Sequence, residues 1–81
     1  MRLAIIGIII EDHRQNNKVQ EILHQYGELV LGRMGIAQVE EGLNIISLVV
    51  RGEQREIAAF SGKLGNLKNV TAKAIYKQVK S

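Results

Sequence analysis

The stretch Leu43 to Val50, which reads Leu-Asn-Ile-Ile-Ser-Leu-Val-Val, decides the fold of this 81-residue chain. Its side chains are apolar on both alternations, whereas a strand with one face in water alternates apolar and polar residues. We therefore expect a strand at the centre of a sheet, covered on both faces. Only one other segment, Leu3 to Ile10, has the same character. Two such strands predict a small sheet with this pair in its middle.

The composition indicates one small domain that spans residues 1–81. The chain has no cysteine, so neither a disulfide nor a thiolate metal site can add to a modest core. Oligomerisation is the remaining common route to stability. The net charge of +3 is mild, and we interpret the late lysines as a solvated surface rather than a nucleic-acid footprint. Those lysines are Lys63, Lys68, Lys73, Lys77 and Lys80.

The apolar N-terminal run is predicted to be a strand and not a targeting signal. Glu11-Asp12-His13-Arg14 follows it where a signal peptide would have small residues at a cleavage site. The run is also too short to cross a bilayer. We expect a soluble, cytoplasmic protein without a membrane partner.

An amphipathic helix is predicted after the first strand. Asn16 or Asn17 is expected to cap it by accepting a backbone N–H bond, and Gly27 to end it in a left-handed conformation. Its apolar stripe has the i, i+3, i+4, i+7 spacing of a helix face. The stripe consists of Val19, Ile22, Leu23 and Tyr26.

The remaining elements follow from the same two periodicities. The expected ranges are a strand over Glu28 to Met34, a turn region over Gly35 to Gly42, a helix over Glu53 to Leu64 and a half-exposed strand over Val70 to Tyr76. In the second strand, Leu29 and Leu31 are placed on one face and Val30 and Met34 on the other. Gly65 is the expected end of the second helix.

The resulting order is βαββαβ, an α+β arrangement with a four-stranded antiparallel sheet. In a split βαβ arrangement the first and third strands form the central pair, which agrees with their apolar character. Both helices then cover one face of the sheet, and the other face keeps apolar side chains from the central strands. Because soluble monomers avoid large apolar patches, we expect a homodimer or a tetramer built through that sheet face.

No catalytic, metal or cofactor site is predicted. Ser47 lies in the central strand without a base at a suitable spacing, and we interpret it as a small, hydrogen-bonded core residue. His24 is expected on the exposed side of the first helix. Glu11, Asp12 and His13 would hold a metal only if three consecutive residues converged, and a structural zinc site wants four ligands.

The motif Gly32-Arg33-Met34-Gly35 is the most suggestive short feature, although it lacks the spacing of a phosphate-binding loop. Arg33 is placed to contact an anion or a partner carboxylate, and a surface or interface salt bridge is the favoured alternative. Direct nucleic-acid binding by this chain alone is not expected. The central strands carry no aromatic residue for base stacking, and no segment forms a separate helix-turn-helix.

Several stretches together resemble the iron-only hydrogenase system regulators of anaerobic bacteria. The stretches that carry the resemblance are Ile5 to Ile9, Ile22 to Gly27, Gly32 to Ile36, Ile45 to Val50 and Gly62 to Gly65. The resemblance implies a ferredoxin-like sandwich, similar to ACT domains and to the regulatory domain of the nickel-responsive repressor. It also implies a regulatory role connected with the hydrogenase system.

The similarity to ACT domains implies an effector site in the loop after the first strand and at the start of the first helix. By position, the residues of that site would be Glu11, Asp12, His13, Arg14, Asn16 and Asn17. The nickel repressor holds its metal with a His/Cys set that this chain lacks, so nickel sensing is not expected.

Three functions remain open from the sequence. The first is a non-enzymatic transcriptional regulator that acts as an oligomeric sensor of a small effector or as an interaction module. The second is a purely structural domain that oligomerises and docks another protein. The third is a small ferredoxin-like enzyme, which would need polar catalytic groups in an interior cavity that the strands do not offer.

Overall fold

The computed structural model describes residues 1–78. Lys80, the last of the lysines interpreted as solvated surface, lies outside the described residues. The elements are β1 (Arg2–Ile10), α1 (Asn16–Gln25), β2 (Val30–Glu40), β3 (Leu43–Gly52), α2 (Gln54–Gly65) and β4 (Val70–Gln78). Short 3-10 turns at His13–Gln15 and Gly27–Leu29 flank α1.

The four strands form one antiparallel sheet in the order β2-β3-β1-β4. The two strands that are apolar on both alternations, β1 and β3, lie at its centre, as the sequence predicted. Both helices pack on one face, so the chain has the βαββαβ order of a ferredoxin-like α+β fold. The helices cover one side of this central pair, whereas the side that carries Ile5, Ile9 and Val49 stays exposed, so the predicted cover on both faces is not seen within this chain.

The core lies between the helices and one face of the sheet. Alternate residues of the central strands supply its floor, and the predicted helix stripes supply its roof. Its fully buried members are Ile6, Ile8, Val19, Leu48, Val50, Ile57, Phe60 and Leu64. The Phe60 ring stacks on Tyr26 with ring centroids 4.7 Å apart, which ties α2 to the end of α1.

The predicted extent of β2 is wrong. The strand runs to Glu40 through the range expected as a turn, and the reversal is confined to Glu41 and Gly42, where Gly42 has a φ of +77°. The Asn44 side chain holds this hairpin by accepting the N–H of Gln38 at 2.8 Å. Glycine-based turn signals misplaced the boundary because Gly35 pairs within the ladder, opposite Ile46.

The predicted facing of β2 is also wrong, because the strand contains a bulge. Val30 lies opposite Val50 on the core side, but the register shifts before Gly32, and Met34 lies opposite Ser47 on the other side of the sheet. One extra residue in a strand moves every later side chain to the opposite face. Val30 and Met34 therefore do not share a face.

The predicted ends of α1 are wrong as well. Asp12 caps the preceding 3-10 turn by accepting the N–H of Arg14 at 3.0 Å, so neither Asn16 nor Asn17 serves as the cap. The residue after the helix is Tyr26, and Gly27 opens a second 3-10 turn without a positive φ. The C-terminal end of α2 at Gly65 agrees with the prediction.

Candidate functional site

The loop predicted as an effector site is occupied by an internal ion pair. Arg14 donates from Nε to Asp12 Oδ1 and from Nη2 to Asp12 Oδ2, each at 3.0 Å. Hydrogen bonds from the Arg14 side chain, and then from its backbone, lower the pKa of Asp12 to about 2. The two charged groups therefore pair with one another, while the Arg14 side chain stays 80% exposed.

Within residues 1–78 no side-chain hydrogen bond joins the other four predicted ligand residues to one another. Glu11, His13 and Asn17 are exposed, whereas Asn16 is half-buried and accepts a hydrogen bond from Asn44 Nδ2 at 3.2 Å. Within residues 1–78 no group of three or more His, Cys, Asp or Glu residues is placed to hold a metal ion. An effector site built from all six loop residues stays a prediction, and the geometry draws attention elsewhere.

The Asp12–Arg14 pair predicts a dependence of stability on acid. Because the folded-state pKa of Asp12 lies below its ordinary value of 3.8, its stabilisation is complete above about pH 4 and is lost as the pH falls towards 2. We expect Asp12→Asn to lower the urea midpoint at neutral pH and to match the wild type near pH 2. Glu41→Gln, in an exposed turn, is the control and should show no such convergence. If the difference in urea midpoint between the wild type and Asp12→Asn were the same near pH 2 as at neutral pH, the ion pair would not be what stabilises the fold.

A cleft between α1 and β2 contains two hollows that share Gln20 and Arg33 in their walls. The first has a volume of about 540 Å³ and is lined further by Leu23, His24, Gly27, Val30 and Leu48. The second has a volume of about 240 Å³ and includes Ile10, Asn16, Gly35, Asn44 and Ile46 in its lining. Of the six loop residues, Asn16 is the one that borders these hollows. The cleft therefore combines an apolar floor with a few polar side chains, as small-molecule sites do.

Arg33 lies between the two hollows. It stands opposite Leu48 on the helix side of β2, and its Nη1 and Nη2 atoms each lie 3.4 Å from Gln20 Oε1. Among residues 1–78 the ion pair of Asp12 with Arg14 is present and Arg33 forms none, so the surface salt bridge is not what the structure shows. Its predicted contact with an anion or a partner carboxylate stays a prediction.

The sequence interpretation missed Gln20, although a signal was present. Asn16, Gln20 and His24 recur at a spacing of four, which places them on one side of α1 beside the apolar stripe. His24 is exposed, as predicted. The spacing does not show that Arg33 is the partner of Gln20, because only folding brings β2 against this side of the helix.

We use the name open face for the side of the sheet that the helices leave uncovered. Two apolar rows cross it: Val49, Ile5 and Ile75 are paired in one row, and Ile36, Ile45 and Ile9 in the other. Ile5, Val49 and Ile75 are 47%, 42% and 71% exposed. An apolar surface therefore lies open on this chain.

Between the two rows the surface is low at its centre, where Gly7 lies opposite Ser47, and we call this the low strip; Met34 and Lys73 stand at its two ends. Ser47 is half-buried on this face, so its predicted place in the core is wrong. The reason is the alternation itself: Ile46 and Leu48 point into the core, which turns Ser47 outward.

Comparison of the chain with known proteins identifies one matching family. Residues 2–74 match the family described as "TM1266-like: Iron-only hydrogenase system regulator, putative". The solved structure of TM1266 from Thermotoga maritima superposes with a TM-score of 0.89 at 34% identity, covering 96% of this chain and 100% of that one.

A relative from Saccharolobus solfataricus, named "Putative nickel-responsive regulator", is 24% identical over 67 residues. The match covers 83% of this chain and 50% of the relative, so this chain spans about half the length of that protein. No helix within residues 1–78 has the length and apolar character needed to cross a membrane. The resemblance seen in the sequence is confirmed by the match over residues 2–74, and the chain belongs to the TM1266-like family of iron-only hydrogenase system regulators.

Proposed function

We propose that this chain is a non-enzymatic regulatory module of the hydrogenase system that acts as a homodimer, or a higher symmetric oligomer, formed through the open face. The family description and the regulator name of the Saccharolobus solfataricus relative support the regulatory part. The observation that carries the oligomeric part is the apolar open face. In a monomer that face would remain in water, which soluble monomers avoid.

The energetic case for covering the open face is favourable. At ~25 cal/mol per Å² of apolar surface, burying several hundred Å² contributes several kcal/mol before the costs of association are subtracted. Charged side chains stand at the margin of this face, with Lys73 and Lys77 on the edge strand β4 and Arg51 near the end of β3. An apolar centre with a charged rim is the usual composition of a protein interface.

A second copy of the chain is the occupant that fits best. A two-fold axis places the same surface on both partners, so a row on one copy can enter the low strip between the rows on the other. The packing of the single chain does not require glycine at position 7, since a Cβ there would meet no atom within 4 Å. A glycine in a strand can instead leave space for the close approach of another chain.

The surroundings of Ser47 support a role without catalysis. Its neighbours across the sheet are Gly7 on β1 and Met34 on β2, and neither side can act as a base. A serine nucleophile needs a base within hydrogen-bond reach. The function proposed is therefore binding and assembly.

Gly7→Val tests the proposal. A Cβ at this position meets no atom within 4 Å and valine suits a strand better than glycine, so the variant chain should still fold. In the dimer it fills the low strip, and we expect the dimer dissociation constant to rise about tenfold or more. Sedimentation equilibrium over a concentration series measures this change, and thermal unfolding checks the fold.

Gly62→Ala is the matched control, because it adds the same kind of atom in open space on α2, away from the open face. It should leave the dissociation constant unchanged. A wild-type chain that stays monomeric at about 100 µM, or a Gly7→Val variant that dimerises as well as the wild type, would overturn assembly through the open face.

A further inference from the structure

We propose that the cleft between α1 and β2 is a binding site for a small organic acid with one negative charge and an apolar body, whose carboxylate is held by Arg33. The inference deepens the proposed function, and rests on it, in that it supplies the ligand class to which the regulatory module would respond. The site differs from the loop predicted from the sequence, whose charges Asp12 and Arg14 neutralise each other.

The charge of the proposed ligand follows from the state of Arg33. Among the described residues its two terminal nitrogens hydrogen-bond to Gln20 Oε1 alone, at 3.4 Å, which is longer than the usual ~2.9 Å for an N–H···O bond. Because both nitrogens share one uncharged oxygen at that distance, most of the hydrogen-bonding capacity of the Arg33 guanidinium is unused. A carboxylate can accept both in parallel at shorter distances, with the added strength of opposite charges. One guanidinium in the cleft matches one negative charge.

The apolar body of the ligand follows from the lining of the cleft. Leu23, Val30 and Leu48 border the larger hollow, and Ile10 and Ile46 border the smaller one. Of these, Val30 is half-buried and keeps apolar surface open to the larger hollow, which a small, strongly hydrated anion such as inorganic phosphate would leave uncovered. An acid whose hydrocarbon part lies over Val30 would use both the charge and this apolar surface.

Gly35 explains why the cleft is open beside Arg33. The two residues lie two positions apart on the same side of β2, opposite Ile46 and Leu48. A Cβ at Gly35 would meet Ile46 Cγ1 at 3.8 Å, an ordinary contact, so the packing of the chain does not require glycine there. A larger side chain would instead project into the smaller hollow, which Gly35 lines. The Gly32-Arg33-Met34-Gly35 motif thus provides a charge and the space next to it.

The experiment is a titration of ¹⁵N-labelled protein with 4-methylvalerate, and separately with 4-methylvaleramide, which has nearly the same shape without the charge. We expect saturable shifts of the Gln20, Gly27 and Gly35 amides with a dissociation constant of about 1 mM, as suits a probe of this size. The amide probe should bind at least tenfold more weakly. Arg33→Gln should weaken the acid to a similar extent.

Arg55→Gln is the matched control, because it removes the same charge from an exposed position on α2 that does not line the cleft. It should bind the acid as the wild type does. Gly35→Val is the second variant: it keeps Arg33 but narrows the smaller hollow, and we expect it to weaken the acid severalfold with the spectrum of a folded protein retained.

Three outcomes would overturn the site: no saturable shift up to about 20 mM acid, equal affinity for acid and amide, or unchanged affinity in Arg33→Gln. Sedimentation of the same samples separates this inference from the proposed function. A dimer that does not bind the acid removes the cleft site and leaves the oligomeric module standing. A monomer that binds it with the expected Arg33 dependence supports the site and removes assembly through the open face.

Discussion

Replacing Val49 with glutamate is expected to convert the proposed oligomer into a monomer. Val49 is 42% exposed at the centre of the open face and lies opposite Ile5, whose other neighbour in the row is Ile75. In the single chain the new carboxylate remains in water and costs little. In the assembled form it would be buried among apolar side chains without a partner, which is strongly unfavourable. We expect the dimer dissociation constant to rise at least 100-fold, which corresponds to about 2.7 kcal/mol.

The measurement is sedimentation equilibrium on the wild type and the variant at matched concentrations and salt. Ala58→Glu is the control, because it introduces the same charge at an exposed position on α2, which covers the opposite side of the sheet. It should leave the dissociation constant within a factor of about two. A Val49→Glu chain that assembles as tightly as Ala58→Glu would show that the open face is not the interface.

The same pair of variants links assembly to regulation. In a hydrogenase-producing host from which the gene has been deleted, we expect Ala58→Glu to restore the wild-type level of hydrogenase transcript and Val49→Glu not to restore it. The two chains carry the same charge change, so a difference between them reports on the open face. Full restoration by Val49→Glu would mean that the regulatory activity does not need the oligomer.

The centre of the fold was predictable because its signal is local. Leu43 to Val50 and Leu3 to Ile10 carry apolar side chains at successive positions, a pattern typical of strands in the middle of a sheet. The edge strand β2 was not predictable in the same way. Its faces depend on the bulge before Gly32 and its length depends on pairing with β3, and both are set by a neighbouring strand.

The candidate site was predictable only in part, for a related reason. Arg33 stood out because two glycines lie within two residues of it, and that is a property of adjacent residues. The cleft also needs Gln20 and His24, which belong to an element that precedes β2 and meets it only after folding. The pairing of Asp12 with Arg14 was not foreseen, since charge spacing alone does not show which partner a side chain finds.

Phe60→Ala is expected to cost the most stability of any change considered for this chain. Phe60 is the only phenylalanine, it is 0% exposed, and it joins α2 to α1 through its stack on Tyr26. Truncating a buried phenylalanine removes its apolar contacts and leaves a cavity, which costs about 3–5 kcal/mol. The loss of the ring stack favours the upper part of that range. Small domains have only about 5–15 kcal/mol in total, so the variant should be close to unfolding.

Phe60→Leu and Leu31→Ala separate the causes of this loss. Leucine keeps most of the volume of the phenylalanine side chain. Phe60→Leu should therefore lower the free energy of unfolding by less than about 1.5 kcal/mol. Leu31 is 62% exposed, so Leu31→Ala should lower the free energy of unfolding by less than about 1 kcal/mol. Urea unfolding at one protein concentration gives the free energy of unfolding for Phe60→Ala, Phe60→Leu and Leu31→Ala. All three are made in the Val49→Glu chain, because the stability of an oligomer depends on concentration and dissociation would otherwise contribute. A Phe60→Ala loss no greater than that of Leu31→Ala would mean that the helices are not held on the sheet by this ring.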